Sequence, residues 1–322
     1  MKPFRFEPIL KSLIWGGDKI APYKGIDTSM PNIGESWELS GVAGDESVVA
    51  GGAYAGRTLP QLIDELKETL VGKSVYERFG TEFPLLVKFI DARDDLSIQV
   101  HPDDALSQMR HGKHGKTEMW YVVGADSGAH LKAGFSQKIT PEEYERRVAD
   151  NTLTDVLCDY AVQPGDLFFL PAGRVHAICA GSFVAEIQQT SDVTYRIYDY
   201  GRVGKDGKPR ELHTELAKDA IDYTVLPDYR SHYASEKNSE TQLVECPYFT
   251  TSLYDLDAPA EKDLSELDSF LVVMCLAGRG VLVDDEGGET PLRQGETLLV
   301  PAAARSIRFI PEGEMKLLTS HL

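Results

Sequence analysis

Two octapeptides set 130 residues apart decide the fold: Gly165-Asp166-Leu167-Phe168-Phe169-Leu170-Pro171-Ala172 and Gly295-Glu296-Thr297-Leu298-Leu299-Val300-Pro301-Ala302. Each reads as a glycine turn, a short apolar strand and a proline-initiated turn. Self-similarity at a fixed offset marks a reused structural unit, so two β-domains of one architecture are predicted in tandem. Between the copies, Pro227–Gln242 (PDYRSHYASEKNSETQ) lacks apolar periodicity and is the predicted boundary. It divides the chain into an N-terminal domain, residues 1–235, and a C-terminal domain, residues 236–322. The copies differ in one chemically telling place. Five residues beyond the proline, the first has His176 and the second Ser306. Residues 243–322 hold a single histidine, His321, so the C-terminal domain is expected to be a degenerate, structural copy.

The rest of the chain agrees with an all-β reading. Its 28 glycines and 17 prolines punctuate short apolar runs. Strands are predicted at Leu85–Asp91, Ser97–His101, Met119–Val123, Asp166–Leu170, Phe183–Gln188 and Thr194–Tyr198, then at Phe270–Leu276, Val281–Asp284 and Thr297–Val300. Each is short and rich in β-branched or aromatic residues. A few helices are inserted. Thr58 opens one whose Leu62, Ile63, Leu66 and Leu70 share a face. Thr140-Pro141-Glu142-Glu143 predicts a second, with proline at its first position and a capping box. Thr214 precedes a third, carrying Leu216, Ala217, Ala220 and Ile221.

Composition narrows the partners. The 322 residues include 33 Lys and Arg against 51 Asp and Glu, a net charge of −18, in the balance of a soluble globular protein. A field of that sign repels nucleic acid and anionic membranes, so neither is an expected partner. It also sets a requirement: an anionic substrate needs a locally positive site. MKPFRFEPILKSLIWGG has no signal-peptide core, and no apolar run is long enough to span a bilayer, which predicts a cytoplasmic protein. Cys158, Cys179, Cys246 and Cys275 are scattered without a CxxC pair, and are read as reduced, mostly buried thiols rather than two disulfides.

Three segments carry the chemistry. Gln99 and His101 alternate on one strand, so their side chains share a face. Lys116 and Glu118 repeat that spacing at the next strand, and His176 lies just past the first octapeptide. Two imidazoles, a carboxylate and an amide oxygen suit a borderline cation such as Zn²⁺. A lone histidine on a strand is more often a hydrogen-bonded structural residue. His111, His114, His130, His213 and His232 are read that way, His213 standing apart in RELH near the site-bearing segment. For His101 and His176, beside prolines and in one domain with Glu118, spacing alone leaves metal ligation and a structural role both open.

A resemblance adds to this reading. SIQVHPDD, GKTEMWYV, PGDLFFLPAGRVHAI, SDVTYRIYDYGR and GKPRELH, with the earlier SLIWGG and GESWELS, resemble the short bacterial form of the type I mannose-6-phosphate isomerases, from about residue 9 to 222. The resemblance implies tandem cupin jelly-roll barrels with one Zn²⁺ per chain in the N-terminal barrel. It implies Gln99, His101, Glu118 and His176 as metal ligands, Arg196 as the catalytic arginine, and Lys116 and Glu186 in the pocket wall.

The implied reaction interconverts mannose 6-phosphate and fructose 6-phosphate by proton transfer through a cis-enediolate. Arg196 is no base at neutral pH and suits charge stabilisation or substrate binding. Glu186 alternates with apolar residues, and burial is expected to raise its carboxyl into the range of a general base. It is preferred over Lys116, which serves as base or phosphate ligand. The plainer alternatives are an ion pair with an arginine for Glu186 and a solvated strand end for Lys116. Ser97 contacts phosphate or satisfies its own turn. Trp15, Trp37 and Trp120 wall a sugar pocket or fill core. Asp94-Asp95 and Asp284-Asp285-Glu286 read as solvated turns. The expected partner is a small sugar phosphate, and the expected assembly a monomer or weak homo-oligomer. Two other classes share parts of the pattern: a non-haem Fe(II) oxygenase, and a sugar-phosphate-binding cupin without turnover.

Overall fold

The computed structural model describes residues 1–204 and 207–322. Three antiparallel sheets organise it. A seven-stranded sheet runs in the order Arg230–Ser231, Leu167–Leu170, Glu118–Ala125, Ser182–Gln189, Leu85–Asp91, Ile33–Leu39 and Ile9–Gly17. A five-stranded sheet runs Tyr195–Tyr198, Ile98–Val100, His176–Ile178, His130–Phe135 and Leu157–Ala161. Ile90, Trp120, Val122 and Val184 of the first share one apolar cluster with Leu131, Ala133 and Ile178 of the second, so the two sheets face each other as a jelly roll.

Period-two alternation explains why the central strands are buried on both faces. Leu85, Val87 and Phe89, with Met119, Tyr121, Phe183, Ala185 and Ile187, point into the largest core cluster. The alternate residues point the other way, between the sheets: Lys88 and Ile90, Glu118 and Trp120, Val184 and Glu186. The polar side chains that build the site thus sit on the face turned toward the second sheet.

The third sheet has nine strands, mostly from the C-terminal part, dominated by Leu271–Asp284 and Ser306–His321. The offset of 130 survives in three dimensions. Leu167–Leu170 corresponds to Thr297–Val300, and the strands that follow begin at His176 and at Ser306. The second barrel is filled by Val273, Leu282, Leu298, Val300, Phe309 and Leu317. Phe249, Phe270, Val272 and Leu299 reach the main core from this side, so both halves pack on one apolar mass. The first strand, Phe4–Glu7, also joins this sheet, with Phe4 opposite Leu299 and Arg5 opposite Leu298.

Several elements differ from the sequence expectation. The helix from Thr58 forms with its full capping box but ends at Leu66. Lys67 adopts φ of 49°, and Leu70 is buried from a separate short helix, Glu68–Val71. At Thr140 only half the box forms: the hydroxyl accepts from Glu143 N at 3.2 Å, while Glu143 Oε1 takes Arg147 Nε at 2.9 Å. Val281–Asp284 is no separate strand but the end of Leu271–Asp284, which bends through bulges near Gly278, where a Cβ would meet Glu314 O at 2.0 Å. The polar stretch 227–242 is partly tied down, since Tyr229 is buried with its hydroxyl donating to Phe135 O at 3.1 Å, and Arg230–Ser231 extends the seven-stranded sheet. Asp284 is not solvated but buried, its Oδ1 accepting from Glu286 N at 3.0 Å and Gly288 N at 2.7 Å. The helix Asp104–His111, capped by Asp103 and closed by Gly112, lies outside the predicted set. All four cysteines are free thiols.

Candidate metal centre

His101, Glu118 and His176 come from three neighbouring stretches of backbone. His176 pairs across the five-stranded sheet with Gln99, and Glu118 opens the strand facing them. All three are almost completely buried. Glu118 Oε1 lies 3.3 Å from His176 Nε2, and Oε2 lies 3.5 Å from His101 Nε2. Each imidazole is oriented from behind: His101 Nδ1 is 2.9 Å from Val193 O, and His176 Nδ1 is 2.8 Å from Arg174 O. A carbonyl partner fixes the ring proton on Nδ1 and turns the Nε2 lone pair inward, the second-sphere arrangement of histidine metal ligands. Burial first, and then the Lys116 ammonium, hold both imidazoles below their ordinary range, His176 at about 3, so both stay neutral donors. Burial pushes the Glu118 carboxyl up, against the pull of Lys116. Glu118 Oε1 is buried without a hydrogen-bond partner. A buried orphan carboxylate oxygen between two inward lone pairs is what a divalent cation satisfies, so the donor set fits one.

Gln99 abuts this set differently. Its side-chain amide lies 3.3 Å from His176 Nε2, at the edge of the donor set. Lys116 is no solvated strand end. It is buried, its Nζ contacting Glu118 Oε2 and lying 3.0 Å from His101 Nε2.

A cavity of about 420 Å³ opens beside these donors, with Ser97, Gln99, Lys116, Glu186 and Arg196 all in its wall. Five cationic side chains line it (Lys11, Lys88, Lys116, Arg196, Arg210) against Glu35, Glu186 and Asp192, so this acidic protein is locally positive here. Arg196 is braced on both sides of its backbone. Its amide donates to His213 Nδ1 at 3.0 Å, and its carbonyl accepts from His213 N at 2.7 Å. Its Nη1 donates to Glu211 O at 2.8 Å while Nε remains buried and unpartnered. Arg210 is held by the buried Asp199, which accepts its Nε at 2.6 Å and also takes Arg202.

Glu186 corrects the sequence reading. Burial does raise its carboxyl, but Lys88 and Lys116, with hydrogen bonds from Lys88 and Trp120, outweigh it and hold the group well below the carboxylate range. Lys88 Nζ lies 3.0 Å from Oε1, and Trp120 Nε1 donates to Oε2 at 2.8 Å. The partner is a lysine, not an arginine, and a carboxylate so held is a poor general base. Sequence reasoning missed Lys88 and Arg210. The signal for the first was a single lysine inside the otherwise apolar LLVKFID. Trp15 and Trp37 line the cavity, whereas Trp120 is core, edge-on to His176 at 5.2 Å. His111, His114 and His232 are hydrogen-bonded to Tyr195, Glu82 and Asp228, the structural role expected of them.

Fold and site together define a tandem-barrel cupin with a two-histidine, one-carboxylate centre at the foot of a cationic pocket. The family model "Phosphomannose isomerase type I, catalytic domain" matches residues 4–122, and "Mannose-6-phosphate isomerase, cupin domain" matches residues 239–322. The chain is 34% identical over 324 residues to mannose-6-phosphate isomerase ManA of Bacillus subtilis (strain 168), covering 100% of this chain and 99% of the other. It is 34% identical over 322 residues to the mannose-6-phosphate isomerase of Streptococcus mutans, covering 99% and 98%. The crystal structure of the mannose 6-phosphate isomerase from Bacillus subtilis superposes over 100% of both chains with a TM-score of 0.90 at 32% identity. The chain belongs to the type I phosphomannose isomerases.

Proposed function

We propose that this chain interconverts mannose 6-phosphate and fructose 6-phosphate, with Zn²⁺ held by His101, Glu118 and His176 and with Gln99 at the edge of that set. The observation that carries it is the convergence of three buried donors against Gln99 and Lys116, which line a pocket whose cations suit a phosphorylated substrate. A cation bound there supplies Lewis-acid stabilisation of the negative charge that develops on the substrate's O1 and O2. Arg196, fixed by His213 and Glu211, is pre-positioned to stabilise the same enediolate charge without reorganising. Arg210, clamped by Asp199, offers a guanidinium to the phosphate, with the Ser97 hydroxyl in the same wall. Proton transfer between C1 and C2 is assigned to Lys116, the buried amine beside the donor set. Glu186 serves as the fixed counter-charge for Lys88 and Lys116. Trp15 and Trp37 exclude water from the sugar.

In this proposal residues 1–235 carry the chemistry, residues 236–322 support them, and the enzyme acts in the cytoplasm as a monomer or weak homo-oligomer. No described helix is long and apolar enough to cross a membrane. The test is conversion of mannose 6-phosphate by zinc-loaded protein, without oxygen, coupled to detection of fructose 6-phosphate. Turnover is expected, with Glu118→Ala and Arg196→Ala inactive. Full activity in Glu118→Ala would sink the metal assignment, and a requirement for O₂ would replace the isomerase with an oxygenase. Binding without turnover would leave only a sugar-phosphate-binding protein.

A further inference from the structure

We propose that Asp95, His130 and Cys179 form a second cation site, for a thiophilic divalent ion of the Zn²⁺ class, on the outer face of the five-stranded sheet. Backbone register brings the three together. Ile178 pairs with Leu131, and Cys179 N donates to His130 O at 3.2 Å, which sets the Cys179 and His130 side chains next to each other. Leu96 N donates to Ile178 O at 2.8 Å and Ala180 N to Asp95 Oδ1 at 2.8 Å, which ties Asp95 to the same strand end. Their ligand atoms all lie within 4.8 Å of one another.

Strand alternation separates this cluster from the first centre. His176 and Ile178 point between the sheets, whereas Val175, Ala177 and Cys179 belong to the cluster on the opposite face. The sulfur is buried, and Asp95 and His130 are partly exposed, so an ion enters from solvent and meets the thiol last. His130 Nδ1 lies 3.3 Å from Gly128 O, which favours the tautomer with a free Nε2 lone pair. Asp159 Oδ2 stands 4.0 Å from that Nε2 and is itself held by Lys132. Cysteine, histidine and aspartate are a zinc-type donor set, softer than the nitrogen and oxygen set of the first centre. On binding, the Cys179 S–H bond breaks and a sulfur–metal bond forms. The proton leaves to solvent and no atom changes oxidation state. Asp95 lies two residues before Ser97 of the pocket wall, but none of Asp95, His130 and Cys179 lines the cavity.

The test uses the full-length protein, saturated with Zn²⁺ or Co²⁺ and dialysed free of excess. Only the second site contains sulfur, so Co²⁺ there produces a thiolate-to-metal charge-transfer band in the near ultraviolet that the His101–Glu118–His176 set cannot give. Elemental analysis is expected to find two equivalents of zinc per chain. Cys179→Ser, and independently the more exposed His130→Ala, are expected to lose the band and one equivalent, while Cys158→Ser keeps both and His130→Ala keeps its isomerase kcat. Glu118→Ala is expected to lose the other equivalent and retain the band, so failure of one site is readable apart from the other. A wild-type protein with one equivalent and no band, or a band that persists in Cys179→Ser, overturns the proposal.

Discussion

Replacing Lys88 with methionine removes one buried charge and nearly conserves volume. Lys88 is 6% exposed and Glu186 3%, with 3.0 Å between Nζ and Oε1. Trp120 and Lys116 remain after the substitution, but the closest counter-charge is gone and the carboxylate is left in a low-dielectric interior. Breaking a buried pair by removing one partner costs about 3–5 kcal/mol, so Lys88→Met is expected to be destabilised by that amount at pH 7. Denaturant unfolding followed by tryptophan fluorescence measures it. The pH dependence supplies the sign. In the wild type the Glu186 carboxyl is depressed below its ordinary 4.5, so its contribution is complete above 4.5 and is lost only as pH falls through the folded value. Between pH 7 and 5 it therefore adds no slope. In the variant, burial is less opposed, the folded carboxyl moves up, and the folded state takes a proton before the unfolded state does. Acidification in that window then narrows the stability gap between variant and wild type. Lys88→Met/Glu186→Gln is expected to recover a substantial part of the loss. A single variant within about 0.5 kcal/mol of wild type, the range of surface substitutions, or a gap that widens on acidification, refutes the reasoning.

Chelation of the bound cation is expected to abolish turnover and lower thermal stability. An ion present at 100 times its Kd contributes about 2.7 kcal/mol, and calorimetry with and without chelator reads the shift. Arg210→Ala is expected to raise KM for mannose 6-phosphate about tenfold or more with a smaller change in kcat, since a phosphate anchor acts on ground and transition states alike. Steady-state kinetics with inorganic phosphate as competitor separates the two, and a pure kcat effect contradicts the assignment. Phe4→Ala is expected to cost about 3–5 kcal/mol, because that ring is 8% exposed and packs edge-on to Tyr54 at 5.7 Å. Native-state hydrogen exchange is expected to report the loss at Thr297–Val300, the strand paired with it though far away in sequence.

The octapeptides were legible because a turn, an apolar strand and a proline are local devices, and the structure keeps them in register. Strand alternation put His101 on one face with Gln99 and Glu118 with Lys116, but left metal ligation open; the set with His176 came from the family resemblance. Glu186 was misjudged for the converse reason. Its alternation predicted burial correctly, but the sign of its shift depends on Lys88, whose position opposite it across the sheet is a matter of register between strands far apart in the chain. Arg210 and Asp199 were invisible for the same cause, since nothing local says that one clamps the other. The helix ending at Leu66 stops where Lys67 turns left-handed, a conformation no lysine advertises.

The pairing of Phe4–Glu7 with Thr297–Val300 joins two segments about 290 residues apart in the chain. Phe4–Glu7 finds Val48–Val49 on one side early, with Phe6 opposite Val49, but its other side must wait for Thr297–Val300. Until the two meet, Thr297–Val300 presents an open edge on that side, and such edges accept strands from other chains. Contacts this distant in sequence form slowly. The interval between synthesis of Thr297–Val300 and its capture by Phe4–Glu7 is therefore the period in which copies can exchange these strands, and dilution or a chaperone at that moment decides how much correctly paired chain is recovered.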